Sequence, residues 1–197
     1  MKNLLTISIL LASLFAAVPQ VQQTINIPVQ NPSFEQHGTS TSDGPEQCGQ
    51  AYYNIPGWKF SASSVTQLSH PNVCTNDALP PDGAFTANAG WGSTISQDVG
   101  PISPNDGIYT LKVWVANRYY WYGGSYKAAI TITDNTGTGD ICSTSGYAMG
   151  DFTQITLVCP SQRLGSGELK IVFTGTNLSG FPVLFAGPVS LTFTQLQ

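Results

Sequence analysis

Between Gly107 and Arg118 the apolar residues alternate with a period of two. Tyr109, Leu111, Val113 and Val115 fall on one side of an extended chain, and Thr110, Lys112, Trp114 and Ala116 on the other. The same period returns at Lys127–Thr133, where Ala128, Ile130 and Ile132 share a face. It returns again at Phe152–Cys159, at Glu168–Thr174 (Leu169, Ile171, Phe173) and at Val183–Thr194 (Val189, Leu191, Phe193). Turn-forming clusters separate these runs: Gly123-Gly124, and Asp134 to Gly139. Earlier strands are expected around Ile25–Glu35, Trp58–Leu68, Ala84–Asn88 and Ser93–Val99, with Gln36 to Tyr53 as a long loop. About nine short strands, no helical period and no internal repeat specify an all-β fold. The expected form is a two-sheet antiparallel β-sandwich, most simply a jelly roll.

Composition agrees with that reading. The chain holds 20 Gly and 13 Pro, which break helices, while 41% hydrophobic and 11% aromatic residues suffice for a core. Only 9% of residues are charged and the net charge is −4, with seven Lys and Arg in total. So few scattered cations cannot track a phosphate backbone, which argues against nucleic acid as a partner.

The first residues set the expected compartment. Lys2 precedes an apolar run from Leu4 to Val18, with small residues at Ala16 and Ala17. This is the pattern of a signal peptide, and the run is shorter than the roughly 20 residues of a membrane span. Residues 1–18 are therefore read as a leader, and 19–197 as a single domain that is secreted or held in the periplasm or at the cell surface. An exported chain with Cys48, Cys74, Cys142 and Cys159 is expected to form disulfides. Of three possible connectivities, Cys48–Cys74 and Cys142–Cys159 are favoured, because each pair flanks a local excursion. Zinc is the weaker alternative, since no C-x-x-C occurs and His37 and His70 are isolated.

Three segments taken in order resemble the galactose-binding-like jelly rolls of carbohydrate-binding modules in secreted proteins. They are Asn31-Pro32-Ser33-Phe34-Glu35 followed by Ile55-Pro56-Gly57-Trp58, then Ile95 to Val99 with Tyr109 to Arg118, and last Val183 to Thr192. The resemblance implies a glycan partner such as a cell-surface polysaccharide. It also implies a structural calcium held by a Glu of the opening strand and an Asp of the closing strand. Glu35 is present, but Gly187-Pro188 stands where the Asp is expected, and calcium needs several oxygens. No other cofactor is implied.

The segment Asn117 to Tyr126 packs five aromatics into eight residues beside Arg118 and two glycines. Tyr120, Trp121, Tyr122 and Tyr126 can stack on sugar rings, with Trp114 and Arg118 on one strand face and Trp91 between Gly90 and Gly92. The alternatives are plain: half of these rings fill the core, Arg118 pairs with Asp98 or Asp151, and Trp58 anchors the core. Asn177-Leu178-Ser179 is either a glycosylation acceptor or a polar turn. The carboxylates sit mainly in turns, and no G-x-S-x-G is present, so catalysis has little support. The leading expectation is a non-catalytic glycan-binding module. A structural or adhesive surface protein, and a small polysaccharide hydrolase or lyase, are the alternatives.

Overall fold

A computed structural model describes residues 22–38, 55–61, 68–69, 79–90, 92–117, 123–134, 137–161, 167–175 and 183–196. The expected leader, Cys48, Cys74, Trp91, Arg118, Tyr120, Trp121, Tyr122 and the sequon lie outside the described residues. Eleven strands are formed among them: β1 Thr24–Ile27, β2 Lys59–Phe60, β3 Leu68–Ser69, β4 Thr86–Ala89, β5 Thr94–Pro101, β6 Gly107–Asn117, β7 Gly124–Asp134, β8 Gly137–Ala148, β9 Thr153–Ser161, β10 Glu168–Gly175 and β11 Val183–Gln195. They build two antiparallel sheets, as the period-two pattern requires. The first runs β3-β4-β11-β6-β9, and the second β2-β5-β10-β7-β8. Strand β11 is long enough to carry β4 beside Val183–Phe185 and β1 beside Leu191–Thr194, making the first sheet six-stranded. Its pairing with β6 slips between Ala186 and Ser190, around Pro188, which has no N–H to give to a ladder. Among the described residues no helix is long and apolar enough to cross a membrane.

The alternating residues of β6, β10 and β11 close the core. Tyr109, Leu111, Val113, Ile171, Phe173, Phe185 and Leu191 are each at most 1% exposed. Phe173 from the five-stranded sheet stacks on Phe185 from the six-stranded sheet, with centroids 4.8 Å apart. Trp58, expected as a core anchor, stacks on Phe173 at 5.8 Å and packs against Phe34 at 4.9 Å. Its indole N–H donates to Asn31 O at 3.1 Å.

One expected strand shrinks. Of Ile25–Glu35 only Thr24–Ile27 pairs. Beyond it, Pro28 and Pro32 lack donors and the Asn31 side chain takes over the backbone. Its Oδ1 accepts from Gln36 N at 3.0 Å and its Nδ2 donates to Gln36 O at 2.7 Å, closing a tight loop. Asn31 and Phe34 both adopt positive φ there, at 45° and 63°. Of Trp58–Leu68, Lys59–Phe60 pairs and Leu68 opens a second paired stretch with Ser69, while 62–67 lie outside the described residues. One strand is gained: β8 begins inside the stretch read as a turn.

Cys142 on β8 and Cys159 on β9 form a disulfide with Cα atoms 5.7 Å apart. It ties an edge of the five-stranded sheet to an edge of the six-stranded one, as the favoured pairing requires. The bond closes a loop with a sequence separation of 17. On loop entropy alone, replacing both cysteines with serine is expected to cost about 3 kcal/mol. A urea titration of the double variant against the oxidised parent measures this as a lower midpoint; unchanged midpoints would show that the sheets need no staple.

Candidate functional site

The two faces of the six-stranded sheet have different surroundings. Ala87 and Ala89 of β4, Val113 and Val115 of β6, and Val183 and Phe185 of β11 enter the core. The residues between them point outward. On one half of this outward face Lys112, Thr156, Val158 and Ser190 are exposed, as a sandwich surface should be. On the other half exposure vanishes: Thr86, Ala116, Leu184 and Ala186 are at 0% and Asn88 at 1%. Register makes these residues contiguous. Leu184 pairs with Asn88 on one side and Ala116 on the other, and Ala186 pairs with Trp114, which pairs with Gln154. The sandwich therefore has a second buried surface, an apolar patch of small side chains outside its core, with Trp114 half-buried at its border.

Within this patch the Asn88 side chain is an outlier. Both its Nδ2 and its Oδ1 are buried without a hydrogen-bond partner. Most buried polar groups are paired, and an amide left unpaired costs about 1–3 kcal/mol.

Four chain connections meet at the end of the sandwich next to this patch: β4 to β5, β6 to β7, β8 to β9 and β10 to β11. Gly90 and Gly92, which flank Trp91, are held by Ser93 and Gly175. Gly90 N donates to Ser93 Oγ at 2.8 Å, and Gly92 N to Gly175 O at 2.8 Å. Asn117, where the aromatic segment starts, is buried, and its N–H donates to Met149 O at 2.7 Å. Ala89, Asn117 and Val183 thus stand side by side at the same end, although their positions in sequence are well separated. Tyr147 and Met149 add exposed apolar surface there, at 63% and 59%.

The other expected site residues fall in distinct places. Trp114 faces outward at the patch. Tyr126 points inward from β7 against the core, lying along Gly146, its partner on β8, so it does not share the face of Trp114. Burial pushes the Tyr126 phenol above its usual value. Asp98, considered as a partner for Arg118, is instead bound by Lys59 at 2.5 Å and Lys170 at 3.3 Å, on the outer face of the five-stranded sheet. The Lys59 hydrogen bond is the main reason its carboxyl lies below the usual value.

Glu35 does not sit in a cation site of the kind the resemblance implies. Its Oε1 accepts from Ala84 N at 2.8 Å and Phe85 N at 2.9 Å, pinning the chain that leads into β4. Where the second carboxylate is expected, Gly187 is pressed on the opening loop. A Cβ there would lie 2.5 Å from Pro32 O and from the Ser33 Cα. No three His, Cys, Asp or Glu side chains converge among the described residues. The residues present do not fit that calcium.

The family model of the HpiC1 cyclase, HpiC1-like, matches residues 25–185, which is most of the chain. The chain belongs to the HpiC1-like cyclase family. No curated protein sequence matches it. Among solved structures it is similar to the Stig cyclase FisC from Fischerella sp. TAU, solved in complex with (3Z)-3-(1-methyl-2-pyrrolidinylidene)-3H-indole. The TM-score is 0.60 at 19% identity, over 89% of this chain and 100% of that one. It is also similar to the CBM22-1 xylan-binding domain of Paenibacillus barcinonensis Xyn10C, with a TM-score of 0.55 at 10% identity, over 84% and 93%. At such identities both likenesses speak for the fold alone.

Family membership overturns the functional expectation drawn from the sequence. The chain is of a cyclase family, hence enzymatic, where a non-catalytic glycan-binding module was expected. The polysaccharide partner expected with that module loses its support. The motif residues behind that expectation, such as Phe34, Trp58, Tyr109, Leu111 and Leu191, are all buried in the core. They encode a sandwich that binding modules and cyclases share, and they carry no chemistry. The buried outward patch and Asn88 escaped the sequence reading altogether. Their only signal was Thr86-Ala87-Asn88-Ala89, where small residues surround an amide on a strand that ends at a Gly-Trp-Gly turn.

Proposed function

We propose that this protein is an exported cyclase that closes a ring within a small, largely apolar substrate bearing an indole-type aromatic system. Support for cyclisation comes from the family. Support for the substrate class comes from the indole-derived ligand of the Fischerella relative and from the patch on this chain's six-stranded sheet. The observation that carries the location of the site is that Trp114 stands half-buried on the outward face of the six-stranded sheet, at the border of the covered apolar patch of Ala116, Leu184 and Ala186. An aromatic face at an apolar border suits an apolar skeleton. The leader at residues 1–18 and the Cys142–Cys159 disulfide support an oxidising, extracytoplasmic setting.

The chemistry asks little of charged groups. In a ring closure on an alkene, the electron pair of one π bond becomes the new σ bond, so the product is an isomer of the substrate. An electron-poor carbon develops on the way, and aromatic faces stabilise it through their negative quadrupole. Trp114 at the border of the patch is assigned that role, with Trp91, Tyr120, Trp121 and Tyr122 as further ring donors and Arg118 as a polar clamp.

Incubating the purified protein with a panel of indoles carrying unsaturated side chains tests this. The expected product has the same mass as its substrate and one fewer olefin by NMR, and Trp114→Ala slows its formation by about tenfold. If folded protein converts no member of the panel, the substrate class is wrong. If conversion is indifferent to Trp114, the patch is not the site.

A further inference from the structure

We infer that the side-chain amide of Gln154 accepts a hydrogen bond from the ring N–H of the aromatic molecule that lies on Trp114, and so fixes which way round it binds. The inference rests on the cyclase reading above and names, on the same face of the sheet, the group that orients the substrate.

Gln154 is the residue of β9 that pairs with Trp114 of β6. The next residue, Ile155, pairs with Val113 and packs against the core, so Gln154 stands on the opposite side, outward like Trp114. Side chains directly across an antiparallel pair have Cβ atoms about 4.5–5.5 Å apart, and a glutamine is long enough to bring its amide alongside the neighbouring ring. Gln154 is exposed, and β9 is an edge strand of its sheet. Its amide is therefore open to a ligand, on the one side of Trp114 that the covered patch does not occupy.

The other described neighbours of Trp114 on this face offer no acceptor. On the β11 side Ala186, paired with Trp114, ends in a methyl group. Beyond it β11 bulges: Ala186 faces Trp114 and Ser190 faces Lys112, so Gly187, Pro188 and Val189 stand opposite Val113 alone. The opening loop holds the bulge in place, with Val189 N donating to Pro32 O at 3.0 Å. Its exposed residue, Pro188, has a hydrocarbon ring for a side chain. Along β6 the neighbours are Ala116, fully buried, and Lys112, whose ammonium only donates and cannot accept from an N–H. Thr156 and Ser190 flank Lys112 one row further on, about 7 Å along the strands, and their hydroxyls are short. An indole-type ring carries one N–H on an otherwise apolar skeleton, and Gln154 Oε1 is the acceptor placed to meet it. The amide is uncharged, so it binds without the desolvation that a carboxylate would demand beside an apolar patch. Gln154 orients the ring over Trp114 and takes no part in making the new bond.

The test is an NMR titration of the purified, isotope-labelled protein with indole and with 1-methylindole, read at the Trp114 indole N–H and the Gln154 side-chain amide. The second probe has the same ring but no N–H to give. Both probes should shift the Trp114 signal, and only indole should move the Gln154 amide strongly. Indole should bind about fivefold more tightly, the worth of one net hydrogen bond. Gln154→Met, similar in shape but without the amide, should bind both probes at the 1-methylindole level with an unchanged melting temperature. Gln154→Glu, which keeps an acceptor at the same position, should retain the preference for indole. A Gln154 with only a structural role would leave the ratio between the probes untouched in both variants. Persistence of the indole preference in Gln154→Met would therefore overturn the inference. So would a Trp114 signal that moves with indole while the Gln154 amide stays still; the site would then remain on this face, with its orienting group elsewhere. If neither signal responds to either probe, the placement of the site beside Trp114 fails, and the inference with it.

Discussion

Phe173→Ala is expected to cost about 3–5 kcal/mol, the largest stability loss available to a single side chain here. Phe173 is fully buried and stands at the middle of a stack that crosses the sandwich. On one side is Phe185 of the other sheet, nearly parallel at 13°, and on the other Trp58, at 26°. Truncation leaves both neighbours facing a void that neither sheet can close, since each backbone is fixed by pairing on both edges: β10 between β5 and β7, and β11 between β4 and β6. In a chain of this length the melting temperature should fall by roughly 10 °C. Val172→Ala, one residue away on the half-buried opposite face of β10, is the control and should cost less than about 1.5 kcal/mol. Calorimetric scans of the two variants separate the cases. Equal losses would mean that the stack is not what holds the sheets together.

That contrast between neighbouring residues also shows why the core was legible. A strand with one face in the core and the other toward water writes its burial as alternation; β10 does so throughout, and β6 and β11 do so away from the covered patch. Strand β8 has no such signature. It is an edge strand, and around Cys142 the sequence Gly-Asp-Ile-Cys-Ser-Thr-Ser-Gly-Tyr is exposed or only half-buried at every position. With water on both faces there is little hydrophobic pressure to select one, and the Asn-Thr-Gly content before it reads as a turn. The disulfide was easier, because Cys142 and Cys159 are near in sequence and lie on consecutive strands. The candidate site was the least legible. An Asn on a strand reads as solvent-facing unless one knows that something covers that face, and coverage of an outward face is a tertiary fact. Trp114 was placed on the correct side of β6 by its period, yet the period could not say whether that side met water or protein. The aromatic segment attracted attention through its composition, while the patch of Ala116, Leu184 and Ala186 had nothing in composition to mark it.

If that patch holds the substrate, filling it should abolish turnover and leave the fold in place. Ala116→Phe is the sharpest version. Ala116 is fully buried, points away from the core, and is paired with Leu184 in the middle of the row that begins at Asn88. A phenyl group there crowds the covered patch and intrudes toward the face of Trp114, so kcat/KM should fall by at least about 100-fold, equivalent to roughly 2.7 kcal/mol of lost transition-state binding. The overpacking itself should cost only about 1–3 kcal/mol of stability, because the core on the opposite face of β6 is untouched. Lys112→Phe supplies the comparison: the same outward face, the same introduced ring, but an exposed position beyond the patch. It should retain near-normal turnover. Steady-state rates for both variants, with melting curves to confirm folding, decide between a site on this sheet and one formed elsewhere. A folded Ala116→Phe protein with undiminished turnover would rule out the outward patch as the place where the ring closes.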